Sequence, residues 1–547
     1  MKEQIIQAIA EALQQLSSED KIQGEFTGEA QVTRSKDKAH GDFASNIAMA
    51  FAKKIDLAPR QLAELLSDQL SSNKLFEKVE IAGPGFINFF IAQKNHSQII
   101  NSIVTEKENF GNNQDGNGQS VQIEFVSANP TGPLHVGHGR GAAYGATLAS
   151  LYKANGYQVH REYYVNDAGR QMDILATSVW LRYLELCGIE FTFPSNGYKG
   201  DYIWDIAATA HRTDGDKFLI DPASFSDSLP KDEPDGGDKD TYIDALVTVA
   251  KEKLQSPGYA VFFNLAIDTI LADIKDDLHL FGVDYEQWYS ERSLFETNKI
   301  NTVIEKLKAS GHIYKKNGAL WFASSKLGDE KDRVVVRENG QPTYFASDIA
   351  YHVDKFSQGY SKIINIWGAD HHGYISRVRA ALTALDLDDA KLDILLVQFA
   401  NLYRGNVKQQ MSTRSGEFVT LRALRKEVGS DAARFFYVMR KSEQHLDFDL
   451  ELATSTSNEN PMYYVQYAHA RICSVLRQSE QSVDTENLAD LDALLSEDSE
   501  DALMQKLADY PELVSSSCKK HAPHLLVNYL RELAQKFHGY YNETQFL

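Results

Sequence analysis

Cysteine is scarce: Cys187, Cys473 and Cys518 are scattered through 547 residues with no C-x-x-C pair. That spacing argues against a disulfide framework and against a structural zinc site, and it fits a reducing compartment. Long apolar runs are also missing, since none approaches the ~20 residues a membrane span needs. Met1 to Leu16 carries glutamates on an amphipathic helical pattern, unlike a secretory signal. Nor is there a basic excess. The formal net charge is −20, which argues against a general nucleic-acid coat but allows one local basic face. What remains is the profile of a cytosolic globular protein, 43% hydrophobic and 24% charged, long enough for three or four domains.

The chain is organised around Val121 to Tyr144. Val121 to Val126 alternates and is rich in branched and aromatic residues, which predicts a strand. Asn129-Pro130, Gly132 and Pro133 then form a turn, and Leu134 to Asn155 has helical apolar spacing closed by Asn155-Gly156. A strand, a glycine-rich turn and a helix aim backbone N–H groups and a positive helix end at one spot, which suits phosphate. His135 and His138, three apart, share a face of the first turn and could reach that phosphate. Gly137, Gly139 and Gly141 would let a ring or ribose approach the backbone. A rival reading takes Gly137 to Ala142 as a G-x-G-x-x-A dinucleotide fingerprint, with Glu162 about 20 residues later as the ribose acid. A third makes the glycines packing devices and the histidines exposed caps. All three readings describe a nucleotide-type α/β unit or its scaffold, so a second motif has to decide.

Around this unit, residues 1–115 read as an α+β module. A helix carries Ile5, Ile9 and Leu13, a second helix runs from Gly41 through Ala52, and strands at Lys78–Ala82 and Phe86–Phe90 are joined by Gly83-Pro84-Gly85. Asn113 to Gln119 has linker composition. Residues 116–420 form the central domain, with Arg161–Val165 and Ile363–Trp367 as further strands. Within it, residues 191–260 read as an acidic insertion, exposed and mobile: between His211 and Thr241 nine Asp/Glu face four Lys/Arg. Residues 421–547 have helical periodicity, with Ser479–Asp501 as an exposed acidic connection. From Ala400 to His445 nine Lys/Arg face four Asp/Glu, a basic hinge in an acidic chain. It is either a solvated helix face or an RNA contact.

The second motif is Gln409 to Gly416, about 270 residues after the histidines. Alone it is a turn. Together with the first it places two loops at the carboxyl ends of parallel strands, where such sheets bind ligands. At this point the chain resembles a class I aminoacyl-tRNA synthetase, and within that class the arginyl-tRNA synthetase family. His135-Val136-Gly137-His138 is similar to the first signature (H-I-G-H) and Met411-Ser412-Thr413-Arg414 to the second (K-M-S-K-S). Gly41–Ala48, Gly83–Phe90, Tyr163–Met172, Trp367–His372 and Asn460–Arg471 resemble further family stretches, and Asp431-Ala432-Ala433-Arg434 resembles the family's Asp-Ala-Leu-Arg. The resemblance implies a Rossmann-like parallel-sheet catalytic domain, an N-terminal α+β domain that touches tRNA, and a C-terminal all-α anticodon domain.

It also implies ATP as substrate with Mg²⁺ bridging its phosphates, L-arginine and tRNA(Arg) as partners, a monomer with no membrane association, and activation of arginine only with tRNA bound. His135, His138, Met411, Ser412 and Arg414 would be catalytic. Gly137, Gly139, Gly368, Asp370 and His371 would line ATP. Glu124, Ser127, Asn129, Glu291, Tyr344, Asp348 and His372 would hold arginine, whose guanidinium requires carboxylates in a fork. No metal cage is expected, because His371-His372 lacks a partner at useful spacing. Two departures stand out in the signatures. Gln410 and Thr413 replace both lysines of the second, and Gly132 stands where some relatives carry a compensating lysine, leaving Arg414 or Lys408 as the cation for pyrophosphate. Family members also continue past the position of Leu547, so the anticodon domain is expected to lack its end. A dehydrogenase and a non-catalytic RNA-binding relative are the alternatives.

Overall fold

The computed structural model describes residues 2–23, 31–35, 37–91, 96–405, 407–409, 419–479, 495 and 497–546. The chain forms two compact units, Met1–Lys107 with Ser482–Leu507, and Glu108–Gln481 with Ala508–Leu547.

In the first unit the helix Lys2–Ser18 buries Ile5, Ile9, Leu13 and Leu16 on one face, the i, i+4 stripe visible in its sequence. An antiparallel sheet runs Val32–Arg34, Phe43–Ser45, Phe86–Ile91, Phe76–Ala82. The helix expected from Gly41 through Ala52 starts later, at Ile47. Phe43–Ser45 is instead a strand, because Phe43 pairs with Phe89 and Ser45 with Ile87. Long-range pairing overrides local helical spacing there.

The second unit is built on a five-stranded parallel sheet. Its elements are β1 (Ser120–Glu124), α1 (Val136–Ala154), β2 (Gln158–Val165), α2 (Arg170–Leu186), α3 (Asp201–Asp214), α4 (Lys239–Leu280), β3 (Gln287–Ser290), α5 (Tyr344–Ser357), β4 (Lys362–Gly368) and β5 (Leu392–Val397). The strand order is β5-β4-β1-β2-β3 with every pair parallel. From β1 the chain winds outward through β2 and β3, then returns to the other side of β1 as β4. The switch point between β1 and β4 is where doubly wound sheets bind ligands. A three-stranded antiparallel sheet (Ile313–Lys316, Ala319–Phe322, Arg333–Val336) is inserted between β3 and α5.

Three expectations change. The acidic stretch 191–260 is exposed mainly in its middle and packed at its ends: α3 buries Ile203, Ile206, Ala207 and Ala210, and α4 buries Ile243, Leu246 and Ala250, all in the main core. Most of its acidic residues lie in the connection between these helices, so the composition of the whole stretch concealed the helices' apolar stripes. Asn113–Gln119 is not a free linker, because Gly116 and Gly118 donate backbone hydrogen bonds to the carbonyls of Asn155 and Gly156 at the end of α1. The helical tail also carries a strand, Leu446–Asp449, parallel to Ala400–Arg404. The connection Ser479–Asp501 lies largely outside the described residues. Among these, α4 alone is long and apolar enough to cross a membrane by length and composition. It is broken at Gln255 (φ 55°, ψ 173°), two residues before Pro257, and its buried apolar residues face the protein core.

Candidate active site

The loop from β1 to α1 begins under strain. Val126 (φ 72°) and Ser127 (φ 44°) are both left-handed, which is costly for a β-branched side chain and found where the surroundings over-determine the backbone. Ser127 supplies that constraint. Its hydroxyl donates to Glu124 at 3.0 Å and accepts the Tyr164 N–H at 3.1 Å.

At the loop's far end His135 caps α1. Its Nδ1 accepts the Gly137 N–H at 3.0 Å, and His138 Nδ1 accepts the His135 N–H at 3.3 Å. The two rings stack with centroids 3.7 Å apart. Burial pushes His138 down to about 3, helped by His135, and also lowers His135. Both rings are therefore neutral at neutral pH, and with Nδ1 accepting in each, the ring proton sits on Nε2. The pair offers two Nε2–H donors of fixed orientation at a helix N-terminus. A Cβ at Gly137 would lie 2.8 Å from the His135 ring, so only glycine allows this cap. Gly139 has a different reason: a Cβ there would meet Tyr437 at 2.7 Å and Leu421 at 2.9 Å, a close helix packing.

Met411, Ser412 and Arg414 of the second motif lie outside the described residues. The chain just after them is tied to the first motif, since Val136 N–H donates to Val419 and Leu421 N–H to Leu134. Arg140, one turn into α1 and 1% exposed, donates to the carbonyls of Gln398, Lys441 and Gln444 at 2.7–2.8 Å. It anchors the signature helix to two loops from distant sequence. Sequence reading missed it, because a buried arginine looks like a surface one in sequence.

At the other end of the loop from β1 to α1 lies an acid-rich cluster. Glu124 on β1 and Glu162 on β2 are register neighbours, and Asn365 on β4 is Glu124's neighbour on the other side. All three are at most 5% exposed, a polar row across a parallel sheet whose interior is normally Val and Ile. Lys355 on α5, fully buried, contacts Glu124, Asn365 Oδ1 at 2.9 Å and Glu162 at 3.8 Å. The Tyr351 hydroxyl donates to Glu162 and lies 3.1 Å from Glu124. Burial works to raise Glu124, yet Lys355 holds it below its ordinary value, whereas burial leaves Glu162 raised.

Glu291 begins the turn after β3, and Asp348 lies on α5. Burial, then Asp348, raises Glu291 to about 7; burial, then Glu124, raises Asp348 to about 7. Glu291 Oε2 is buried without a hydrogen-bond partner. Two carboxylates of this kind, at the carboxyl end of the sheet, favour a cation that brings its own donors. Tyr164, Tyr289 and Tyr351 form the aromatic wall, with Tyr164 and Tyr351 centroids 4.4 Å apart. Tyr344 is 48% exposed, one turn before Asp348. Asn129 donates to Gln171 at 2.9 Å.

Gly368 ends β4 on the opposite side of the switch point, followed by the exposed Asp370, His371 and His372. Asp370 and His371 pair at 3.7 Å. Although no metal group was expected, the ligand atoms of Cys187, His211 and Asp216 all lie within 4.8 Å of one another. His211 pairs with Asp216 at 3.6 Å, so the trio's polar groups already engage each other. The dinucleotide reading fails on Glu162, which is 0% exposed and whose Oε1 is engaged by Tyr351 and lies near Lys355.

The catalytic-domain description "tRNA synthetases class I (R)" matches residues 99–185 and 259–504, so a class I synthetase domain surrounds this site. "Arginyl tRNA synthetase N terminal domain" matches residues 3–91 and "DALR anticodon binding domain" residues 465–547. An arginine–tRNA ligase of Thioalkalivibrio sulfidiphilus is 57% identical over 550 residues, covering 100% of this chain and 94% of the relative. One from Legionella pneumophila (strain Corby) is 53% identical over 551 residues, with 100% and 94% covered. The Thermus thermophilus arginyl-tRNA synthetase structure shares the fold, with a TM-score of 0.72 at 21% identity over 100% of this chain and 92% of that one. The chain belongs to the arginyl-tRNA synthetase family.

Proposed function

We propose that the chain joins L-arginine to tRNA(Arg) at the expense of ATP. Arginine's carboxylate attacks the α-phosphorus of ATP, giving arginyl-adenylate and pyrophosphate. The terminal adenosine's 2′-hydroxyl then attacks the arginyl carbonyl, AMP leaves, and the ester forms. No protein nucleophile is required, so positioning and electrostatic stabilisation carry the catalysis. The single observation that carries the substrate assignment is the juxtaposition of two carboxylates, Glu291 buried in the turn after β3 and Asp348 half-buried on α5, each bearing no cation of its own in a salt bridge among the described residues.

Glu291 and Asp348 grip the guanidinium, with Tyr344 beside them, and Asn129 holds the α-amino or carboxyl end. Glu124 at the end of β1 and Ser127 in the loop after it support this pocket, and His372 borders it. His135 and His138 donate Nε2–H to the phosphate oxygens as charge develops there, while Gly137, Gly368, Asp370 and His371 border the nucleotide. Met411, Ser412 and Arg414 close on the pyrophosphate, with Arg414 or Lys408 as the cation in place of the family's lysines. Mg²⁺ would supply charge neutralisation on the phosphates. The described metal-type trio, Cys187, His211 and Asp216, lies in the stretch between the two matched catalytic segments and does not fit that role, so the ion would travel with ATP. The basic hinge and C-terminal helices receive tRNA, and the enzyme works as a cytoplasmic monomer without a membrane.

The test is aminoacylation with purified tRNA and each amino acid in turn, with ATP and Mg²⁺. Charging with arginine alone is the expected result. Charging with another amino acid overturns the pocket assignment, and tRNA binding without any charging identifies a non-catalytic relative.

A further inference from the structure

Lys355 belongs to none of the sequence motifs, yet it is the only cation in contact with the polar row among the described residues. Its ammonium has three protons. Glu124 and Asn365 Oδ1 take two, and Glu162 lies 3.8 Å away. Because Asn365 Oδ1 faces Lys355, its Nδ2 donates to His352 Nε2 at 2.9 Å. His352 Nδ1 then carries the ring proton and donates to the backbone carbonyl of Asp348 at 2.7 Å. One side chain thus fixes two acids directly and, through two relays, the turn that bears a third.

We propose that Lys355 is the positioning residue of the amino-acid pocket, holding Glu124 ionised beside Glu162 while orienting the Asp348 turn toward the guanidinium. The inference rests on the arginine-pocket assignment above. Lys355 acts through other residues and touches no substrate. Without it, Glu124 and Glu162 would be adjacent buried carboxylates with no counter-charge. One would take up a proton, and Glu124 would no longer present a fixed oxygen to Ser127 and the strained turn. The ionisable groups around Glu124 are Lys355, Tyr351, His352 and Asp348 on α5, Glu162 and Tyr164 on β2, and Tyr285 before β3. Of these, Lys355 is the one that favours the carboxylate most, against the effect of burial.

The experiment measures arginine and ATP KM and the pH profile of kcat/KM for arginine in the full chain carrying Lys355→Met, with Asp348→Asn as reference. Groups that orient a binding group without touching the ligand typically carry 10–100-fold effects, so arginine KM should rise roughly 10- to 100-fold with ATP KM nearly constant. The acidic limb of the profile should move to higher pH, a change that mere loosening of the fold would not produce. If Lys355→Met unfolds, Lys355→Met/Glu162→Gln restores charge balance in the row. It should recover the thermal transition but keep the raised arginine KM, because Asn365 and His352 remain unheld. An unmoved profile, an unchanged arginine KM, or equal losses for arginine and ATP overturns the inference while Asp348→Asn still raises arginine KM. If Asp348→Asn leaves arginine KM unchanged, the pocket assignment falls first and the role of Lys355 with it.

Discussion

The two halves of the proposed site, one at each end of the loop from β1 to α1, are built on opposite principles. The nucleotide half uses neutral groups fixed by backbone: His135 and His138 are held by the N–H groups of Gly137 and His135, within four consecutive residues. The amino-acid half uses charged groups fixed by one another, and its members come from β1, β2, the turn after β3, α5 and β4. The difference follows from what each is proposed to bind. Phosphate oxygens need donors whose strength does not depend on a titrating charge, and neutral imidazoles at a helix N-terminus supply them. A guanidinium needs fixed negative charge, and buried negative charge persists only with compensating partners at close range.

That contrast also explains what the sequence could disclose. The nucleotide half lies in a short contiguous stretch, so its strand, turn, helix and histidine spacing were readable from residue order. β1 and α1 fall within two residues of the expected boundaries. The carboxylates Glu291 and Asp348 emerged only through family resemblance, because nothing in local spacing separates them from the other acids of a chain with 76 Asp and Glu. Lys355, Tyr351 and Arg140 were invisible to either route. Their importance comes from burial and from partners up to 304 positions away in sequence. Residues 191–260 illustrate the reverse: an acidic, exposed connection drew attention away from α3 and α4, whose inner faces belong to the core.

Breaking the amino-acid half should have the largest effect. Asp348→Asn keeps the shape but removes one prong of the fork, and truncating a buried charge partner costs about 2–5 kcal/mol. Arginine kcat/KM should fall by roughly 30-fold to several thousand-fold on that basis, with ATP KM almost unmoved, as read in steady-state charging assays. A parallel rise in ATP KM would show that the two halves are not separable.

On the nucleotide side, His138→Ala removes one neutral donor, worth about 2–4 kcal/mol in the transition state. Adenylate formation in the presence of tRNA should collapse accordingly, while tRNA binding measured by filter retention stays nearly intact. Unchanged activation would remove the histidine from the chemistry.

Arg140→Met tests the scaffold shared by both halves. It leaves the carbonyls of Gln398, Lys441 and Gln444 without their donor, and a loss of about 2–3 kcal/mol in folding stability is expected from such unmet groups. Thermal unfolding and arginine KM separate the outcomes. A lowered transition with normal KM in the folded fraction assigns Arg140 to the scaffold, and a normal transition would mean that water replaces it.

The smallest effect comes from protons, and it distinguishes the halves without any mutation. Burial raises Glu291 and Asp348 to about 7, above the ordinary values of 4.5 and 3.8. A group raised in the folded state stabilises the fold below its unfolded value, and that contribution is lost as pH climbs through the folded value. The ligand-free enzyme should therefore lose stability from about pH 4 to 7 on account of this pair. Guanidinium binding requires the carboxylates ionised, so arginine affinity should run the other way. It should weaken roughly tenfold from pH 8 to pH 6 if one of the two must release its proton on binding. His138 should be silent over that range, because lowering it to about 3 keeps it neutral throughout. Calorimetric titration with arginine at pH 6, 7 and 8, in buffers of differing ionisation enthalpy, reads both the affinity and the protons released. A proton release that persists after Asp348→Asn and vanishes after Glu291→Gln would assign the titration to Glu291, and the reverse pattern to Asp348.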